Sequence, residues 1–349
     1  MAKHIIWGVL NWGLGHATRS APLIRQAVQM GWQVTLASDG KALHWLQKEF
    51  PNLPTISLPS YGIKQYNTHY SALPLFSMLP AIYKAARAEH RILQQLANQN
   101  SATIVISDNR LGFYHPTVAS YYISHQLHIP GGIWQRPASA LHRYYYRNFK
   151  QLLVPDTPEA TLSGLMAQSP GTGQPVHYLG WPSRFRKCTI EGQEITIILS
   201  GPEPQRSRWE KQLLKALSRL SLSVNVVGSS RSIYRKEKNL NLYPVLNTEE
   251  LQGLFERSRL IISRCGYTTL LDLAVTGKRA LLVPTPGQWE QQYLALRLKE
   301  KGWLHPVQEH KLDIEKDIER ALQKPPLPFI AGEEHSGNFK SWLQGAIVT

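Results

Sequence analysis

The sequence predicts an α/β protein of two doubly wound domains, each a mainly parallel sheet covered by helices. Three observations carry this. Strand-like apolar runs alternate with helical stretches from the N-terminus onward. The alternation restarts after a stretch rich in Gly, Pro, Thr and Gln at 171–182. The length, 349 residues, exceeds a comfortable single core and suits two domains.

Residues 4–10 form a short apolar run, Asn-Trp-Gly-Leu-Gly-His follows, and a helical stretch runs to Met30, closed by Gly31. Residues 33–37 complete a β-α-β unit. Ala85, Ala86, Ile92, Leu93 and Leu96 supply the apolar positions of a helix over 82–96, which precedes a strand at 103–107. Further strands are expected at 129–134 and 151–155, and residues 171–182 read as a linker. The second series opens with a strand at 194–200, a helix through 209–220 and a strand at 223–228. Asn247 and Glu250 spell a capping box. Strands at 260–263 and 279–284 and a helix after Gly287 complete the series. The predicted domains are 1–180 and 181–324, with a tail at 325–349 whose segment 339–343 forms a last helix packing back on the first domain. Two such domains facing across a cleft hold ligands at the carboxyl ends of their strands.

Lys and Arg number 39 against 24 Asp and Glu, a formal charge of +15 that favours polyanionic partners. Nucleic acid is set aside, because the sequence has no Cys/His finger spacing, no RNP-like strand and no basic zipper. An anionic membrane surface and a diphosphate ligand remain. No apolar run is long enough to span a bilayer, and the N-terminus lacks a signal peptide's apolar region and cleavage site. Cys188 and Cys265 stand far apart in no metal-ligand spacing, which suits a reducing compartment. A cytoplasmic protein is expected, with peripheral attachment to the inner face of the cell membrane as a variant.

Gly13-Leu-Gly15-His16-Ala17-Thr18 follows a strand and opens a helix, the context that gives a glycine loop meaning. A dinucleotide fingerprint is one reading, with Asp39 placed to hold a ribose, but Thr18 stands where the third glycine belongs. The other reading centres on His16. A helix N-terminus disfavours its protonated form, and a neutral imidazole is a competent general base. Asp108, directly after the strand at 103–107, is placed to bond one ring nitrogen and fix the tautomer. An ordinary turn at Ser107–Arg110 is the alternative.

In the second half, Ser200-Gly201-Pro202-Glu203-Pro204-Gln205-Arg206 joins a strand to a helix, where backbone amides meet phosphate. Pro202 and Pro204 each delete a donor, so Ser200 and the forked guanidinium of Arg206 have to compensate. Gly266-Tyr267-Thr268-Thr269 then opens a helix that is apolar almost all round. Asp272 is its one acid, and a buried carboxylate needs a polar partner. A ribose diol, both hydroxyls donating to it, would serve. Glu290, Gln291 and Gln292 start the next helix, with carboxamides suited to sugar hydroxyls.

That order resembles the GT-B superfamily of nucleotide-sugar glycosyltransferases, and most closely family 28. The register residues are Ser263-Arg264-Cys265-Gly266, Asp272, Gly277, Val283-Pro284 and Gln291-Gln292-Tyr293. The resemblance implies that Asp272 binds the donor ribose, that Glu290, Gln291 and Gln292 bind the donor sugar, and that Arg264, Gly266, Thr268 and Thr269 meet the diphosphate. It also implies that Gly15 and His16 belong to the loop carrying the base. Two departures stand out: the glycine-rich loop of the second domain is replaced by Ser-Gly-Pro-Glu-Pro-Gln-Arg, and the acid is Asp rather than Glu.

The function expected is an inverting transfer from a nucleoside-diphosphate sugar, UDP-linked, to an acceptor hydroxyl. No cofactor is expected beyond the nucleotide sugar as co-substrate, and no metal, since no His/Asp/Glu spacing demands one. A lipid or glycan acceptor is expected. Basic and aromatic residues mix at 141–150, and Lys84, Arg87 and Arg91 follow the apolar segment 73–78, a pattern that suits an anionic membrane. The competing readings are a nucleotide-sugar hydrolase or epimerase on the same fold and a non-catalytic nucleotide-sugar-binding protein.

Overall fold

The computed structural model describes residues 3–62, 73–99, 101–128, 142–168, 173–189, 192–218, 222–230, 233–328 and 337–346, with 73–79 as backbone only. The chain forms two compact units, Met1–Pro182 with Ala331–Thr349, and Ser183–Ile330.

The first unit holds a seven-stranded parallel sheet. Its strands are β1 (His4–Val9), β2 (Gln33–Ser38), β3 (Thr55–Ser57), β4 (Ile104–Asp108), β5 (Ala119–Ile123), β6 (Gln151–Val154) and β7 (Val176–Tyr178). Their order is β3-β2-β1-β4-β5-β6-β7, so the strand order reverses between β1 and β4. A doubly wound sheet takes its ligand outside the carboxyl ends of the strands at such a point. β1 and β4 are buried along their whole length, which explains their unbroken apolar runs. At Gly8 the sheet has no room for a side chain, because a Cβ there would lie 2.4 Å from the Phe113 ring.

The second unit repeats the plan with β8 (Glu194–Ile198), β9 (Val224–Val227), β10 (Arg235–Glu237), β11 (Leu240–Tyr243), β12 (Ser258–Ser263), β13 (Ala280–Leu282) and β14 (His305–Pro306). The order is β10-β11-β9-β8-β12-β13-β14, antiparallel only between β10 and β11. Here the order reverses between β8 and β12. The capping box at Asn247 and Glu250 is formed in both directions, at 2.9 Å each.

Several elements depart from the sequence expectations. β7 lies inside the stretch read as linker, where three half-buried residues give too short a run to register as a strand. β5 was not expected; its Ala-Ser-Tyr-Tyr-Ile run begins on small residues and lacks an apolar block. The strand expected at 129–134 lies outside the described residues. The strand expected at 194–200 stops at Ile198, and the helix after it is Gln205–Leu217. In the tail, Lys324 ends the helix Ile314–Gln323, and a last helix, Gly337–Gly345, packs into the first unit. Its Phe339, Trp342 and Leu343 join the cluster of Trp7 and Tyr121, with Trp342 edge-on to Tyr121 at 4.7 Å. Trp342 also donates its indole N–H to Gln151 at 2.8 Å.

Candidate functional site

In the first unit, His16 stands in the first turn of helix Gly15–Gln29, just beyond β1, and Asp108 is the last residue of β4. The reversal between these two strands therefore brings together residues 92 apart in sequence. His16 Nδ1 meets Asp108 Oδ1 at 2.8 Å. Asp108 is fully buried and completely engaged. Arg19 donates Nε to Oδ2 at 2.9 Å and Nη2 to Oδ1, and Ser20 Oγ donates to Oδ2 at 2.8 Å. Arg19 Nη1 reaches His125 Nδ1 at 2.7 Å, beyond the end of β5.

An ionised Asp108 only accepts, so Nδ1 of His16 carries the proton and the lone pair of a neutral ring is on Nε2. Among the described residues Nε2 has no hydrogen-bond partner, and the ring is just buried, at 9% exposure. Burial pulls the His16 pKa below the ordinary histidine value and Arg19 pulls the same way, while Asp108 opposes both. Burial alone would raise the pKa of Asp108. Arg19 and then His16 outweigh it and hold the carboxyl well below the usual range.

A second buried network lies alongside. Arg110 donates to Glu89 at 2.6 Å and to Asp39 at 2.7 Å. Asp39 also accepts from Asn11 at 3.1 Å. With both its oxygens held from within, Asp39 is the floor of the glycine loop rather than a ribose ligand. Gly15 starts the helix and keeps the loop close to it.

In the second unit the helix Tyr267–Thr276 begins directly after β12, beside the reversal point. Gly266 is its N-cap and has no side chain of its own to cap it. A Cβ on Gly266 would meet nothing within 4 Å, so the helix opens toward free space. Thr268 and Thr269 are half-buried in this first turn. A helix end of this kind, positive and uncapped, suits an anion. The Ser200-Gly201 loop leaves β8 on the other side of the reversal. Gly201 has φ +111°, a backbone only glycine adopts without strain, and Thr285 Oγ1 would lie 3.8 Å from a Cβ there.

The two arginines expected at phosphate each have partners within the protein. Arg206 gives Nε to Glu203 of its own loop at 2.7 Å and Nη1 to the Gly228 carbonyl, just after β9, at 2.6 Å. Arg264 is buried, stacks on Trp209 at 3.9 Å and pairs with Glu309 at 2.6 Å. Burial lowers its pKa and Glu309 partly restores it. Both arginines brace the segments that follow the central strands β8 and β12.

Asp272 is buried as expected, but one carboxylate oxygen accepts from Ser183 Oγ at 2.7 Å. Only Oδ2 is left for a ligand hydroxyl, a correction to the expected grip by both oxygens. Burial raises the Asp272 pKa to about 6, against the opposing pull of Arg184 and Ser183. Gln291 is likewise turned inward, its Oε1 accepting from the Thr285 N–H at 2.8 Å. Gln292 is exposed, and Glu290 is half-buried near Cys265, whose thiol is pushed far up by burial and then by that carboxylate.

The residues missed by sequence reasoning are Arg19, Ser20, His125 and Ser183. Arg19 and Ser20 follow His16 at helical spacing, a signal that was there to use. His125 depends on β5 and Ser183 on a contact 89 residues away. Neither had a local sign.

Comparison with known proteins bears on this arrangement. Residues 213–340 match the glycosyltransferase family 28 C-terminal domain. The chain is 24% identical over 303 residues to an uncharacterised glycosyltransferase of Methanopyrus kandleri, covering 80% of this chain and 84% of that one. It is 27% identical over 158 residues to the UDP-N-acetylglucosamine–N-acetylmuramyl-(pentapeptide) pyrophosphoryl-undecaprenol N-acetylglucosamine transferase of Rhodopseudomonas palustris, covering 36% of this chain and 43% of the relative. The spinosyn forosaminyltransferase SpnP superposes with a TM-score of 0.62 at 13% identity, over 100% of this chain and 95% of that one. Two doubly wound sheets with the fold of GT-B glycosyltransferases, a family-28 C-terminal domain match across the helix that carries Asp272, and glycosyltransferase relatives together support a GT28-like glycosyltransferase.

Proposed function

We propose that this glycosyltransferase moves a sugar from a nucleoside-diphosphate donor, UDP-linked, to an acceptor hydroxyl with inversion and without a metal. The observation that carries the reading is the His16–Asp108 pair, which leaves the basic nitrogen of a neutral imidazole without a partner among the described residues. In the step proposed, His16 Nε2 takes the acceptor's hydroxyl proton as that oxygen bonds to the anomeric carbon. The bond from the anomeric carbon to the β-phosphate oxygen breaks, and its electrons leave with the nucleoside diphosphate. The uncapped N-terminus at Gly266, with Thr268 and Thr269, would meet the diphosphate charge. Asp272 Oδ2 would accept from a ribose hydroxyl, and Glu290 and Gln292 would meet the sugar. The Rhodopseudomonas palustris relative uses UDP-N-acetylglucosamine, which supports a UDP-linked donor.

The acceptor is proposed to be a lipid or glycan, reached by peripheral docking on an anionic membrane. Tyr83 and Tyr144 are exposed at 53% and 55%, with Arg87 over the first ring at 5.4 Å and Arg147 over the second at 4.6 Å. No helix among the described residues is long and apolar enough to cross a membrane.

A panel of nucleotide sugars, read by thermal shift and by released nucleotide, tests the reading. UDP-sugars should raise the melting temperature, since a ligand bound only by the native state stabilises it. Nucleotide release should wait for an acceptor, and His16→Ala should remove turnover while sparing the thermal shift. Free sugar released rapidly without acceptor would instead make the protein a hydrolase.

A further inference from the structure

Arg19 is buried in the first unit with its fork on Asp108, on the face of Asp108 that His16 also uses. A lone carboxylate behind a histidine attracts a proton onto the ring and makes it cationic. Here the carboxylate is already matched by a guanidinium. The groups facing His16 are Asp108 from β4, Arg19 and Ser20 from its own helix, and His125 beyond β5. His125 accepts from Arg19 through Nδ1. The two charged groups that meet at His16 through the Asp108 carboxylate are thus one anion and one cation.

We infer that Arg19 is a positioning residue for the base: its bidentate grip aims Asp108 Oδ1 at His16 Nδ1, and its charge cancels the carboxylate's pull so that Nε2 stays unprotonated. The fork does both at once. It fixes the rotation of the Asp108 carboxylate, which Ser20 alone would leave to turn, and it carries the compensating charge within the same hydrogen bonds. His16 is then held in its neutral form, ready to accept a proton without first losing one. The inference deepens the proposed role of His16 as base and rests on it for its catalytic meaning.

The test follows the ring of His16 by NMR in protein labelled with ¹³C-histidine, its signal assigned by loss in His16→Ala and separated from His125 by His125→Asn. In Arg19→Gln the cation is gone, and the His16 midpoint should rise by roughly one pH unit or more, the scale of a nearby opposite charge. In Arg19→Lys the charge is kept but withdrawn to a longer reach, and the midpoint should lie between wild type and Arg19→Gln. The acid limb of kcat/KM should move up in the same order. An unmoved midpoint in both variants overturns the inference, as does a shift in Lys equal to that in Gln. If Arg19→Gln fails to fold, Arg19→Lys decides alone: a rise supports the inference and no rise overturns it. Turnover surviving in His16→Ala would defeat the base reading. The NMR order, which needs no turnover, would still decide whether Arg19 tunes His16.

Discussion

Asp272 sits in a helix whose neighbours are apolar, and its carboxyl titrates near 6 because burial penalises the charge. A folded pKa above the unfolded value of 3.8 means that the group favours the native state at low pH. That contribution is lost as pH rises through about 6. Holding Asp272 ionised at pH 7.5 therefore costs on the order of 2–3 kcal/mol. Asp272→Asn should be more stable than wild type at pH 7.5 by up to that amount, with the gain vanishing below about pH 4. It should also bind UDP roughly 10- to 100-fold more weakly, the scale of a hydrogen bond to a charged acceptor. Chemical denaturation at two pH values together with UDP titration checks both. A variant less stable at pH 7.5 with unchanged UDP affinity would make Asp272 structural. This acid was legible in the sequence because a lone carboxylate in an apolar helix needs a partner. That Ser183 supplies part of the partnership was not.

The helix Gly337–Gly345 belongs to the first unit although it follows the second in the chain, and three side chains of its own hold it there. Trp342 packs on Tyr121 and Phe339 and bonds Gln151, while Phe339 lies 5.9 Å from Trp7. Trp342→Ala should destabilise the first unit by about 3–5 kcal/mol, the usual cost of emptying an aromatic core site. Urea denaturation followed by the fluorescence of the other tryptophans reads the loss. UDP-induced stabilisation of the second unit should remain, and a loss below about 1 kcal/mol would mean the helix is not part of this core. The elements that sequence reading found share long apolar runs or clear helical spacing, as β1, β4 and the helix at Tyr267 do. Those it missed include β3, β5, β7, β10, β11 and β14, short strands of two to five residues that carry too little period to register.

The charge of +15 takes on a shape only in the folded molecule. Between residues 80 and 150 there are eight Lys and Arg and two acids, Glu89 and Asp108, both buried in paired networks. Lys84, Arg87, Arg91, Arg143 and Arg147 are all exposed, so the charge this stretch shows to solvent is positive. Each such cation near an anionic bilayer contributes about 1 kcal/mol. Sedimentation with phosphatidylglycerol-containing vesicles should therefore capture the protein, and phosphatidylcholine alone should not. The double variant Arg87→Gln with Arg147→Gln should weaken capture on the order of 30-fold, and added salt should weaken it in wild type. Equal capture by both vesicle types, or none by either, would remove the membrane from the account.

The sequence by itself determined the two doubly wound sheets, the loop that presents His16 and the helix that carries Asp272. Those features follow from local period and from which residue types end a strand or open a helix. The tertiary structure alone decided which charges are spent. Arg206 and Arg264 are held by Glu203 and Glu309, Gln291 is turned to Thr285, and Arg19 joins Asp108 to His125. The physical reason is that a buried charge takes whatever partner the packing brings within reach, and that partner is set by strand order rather than by proximity in sequence.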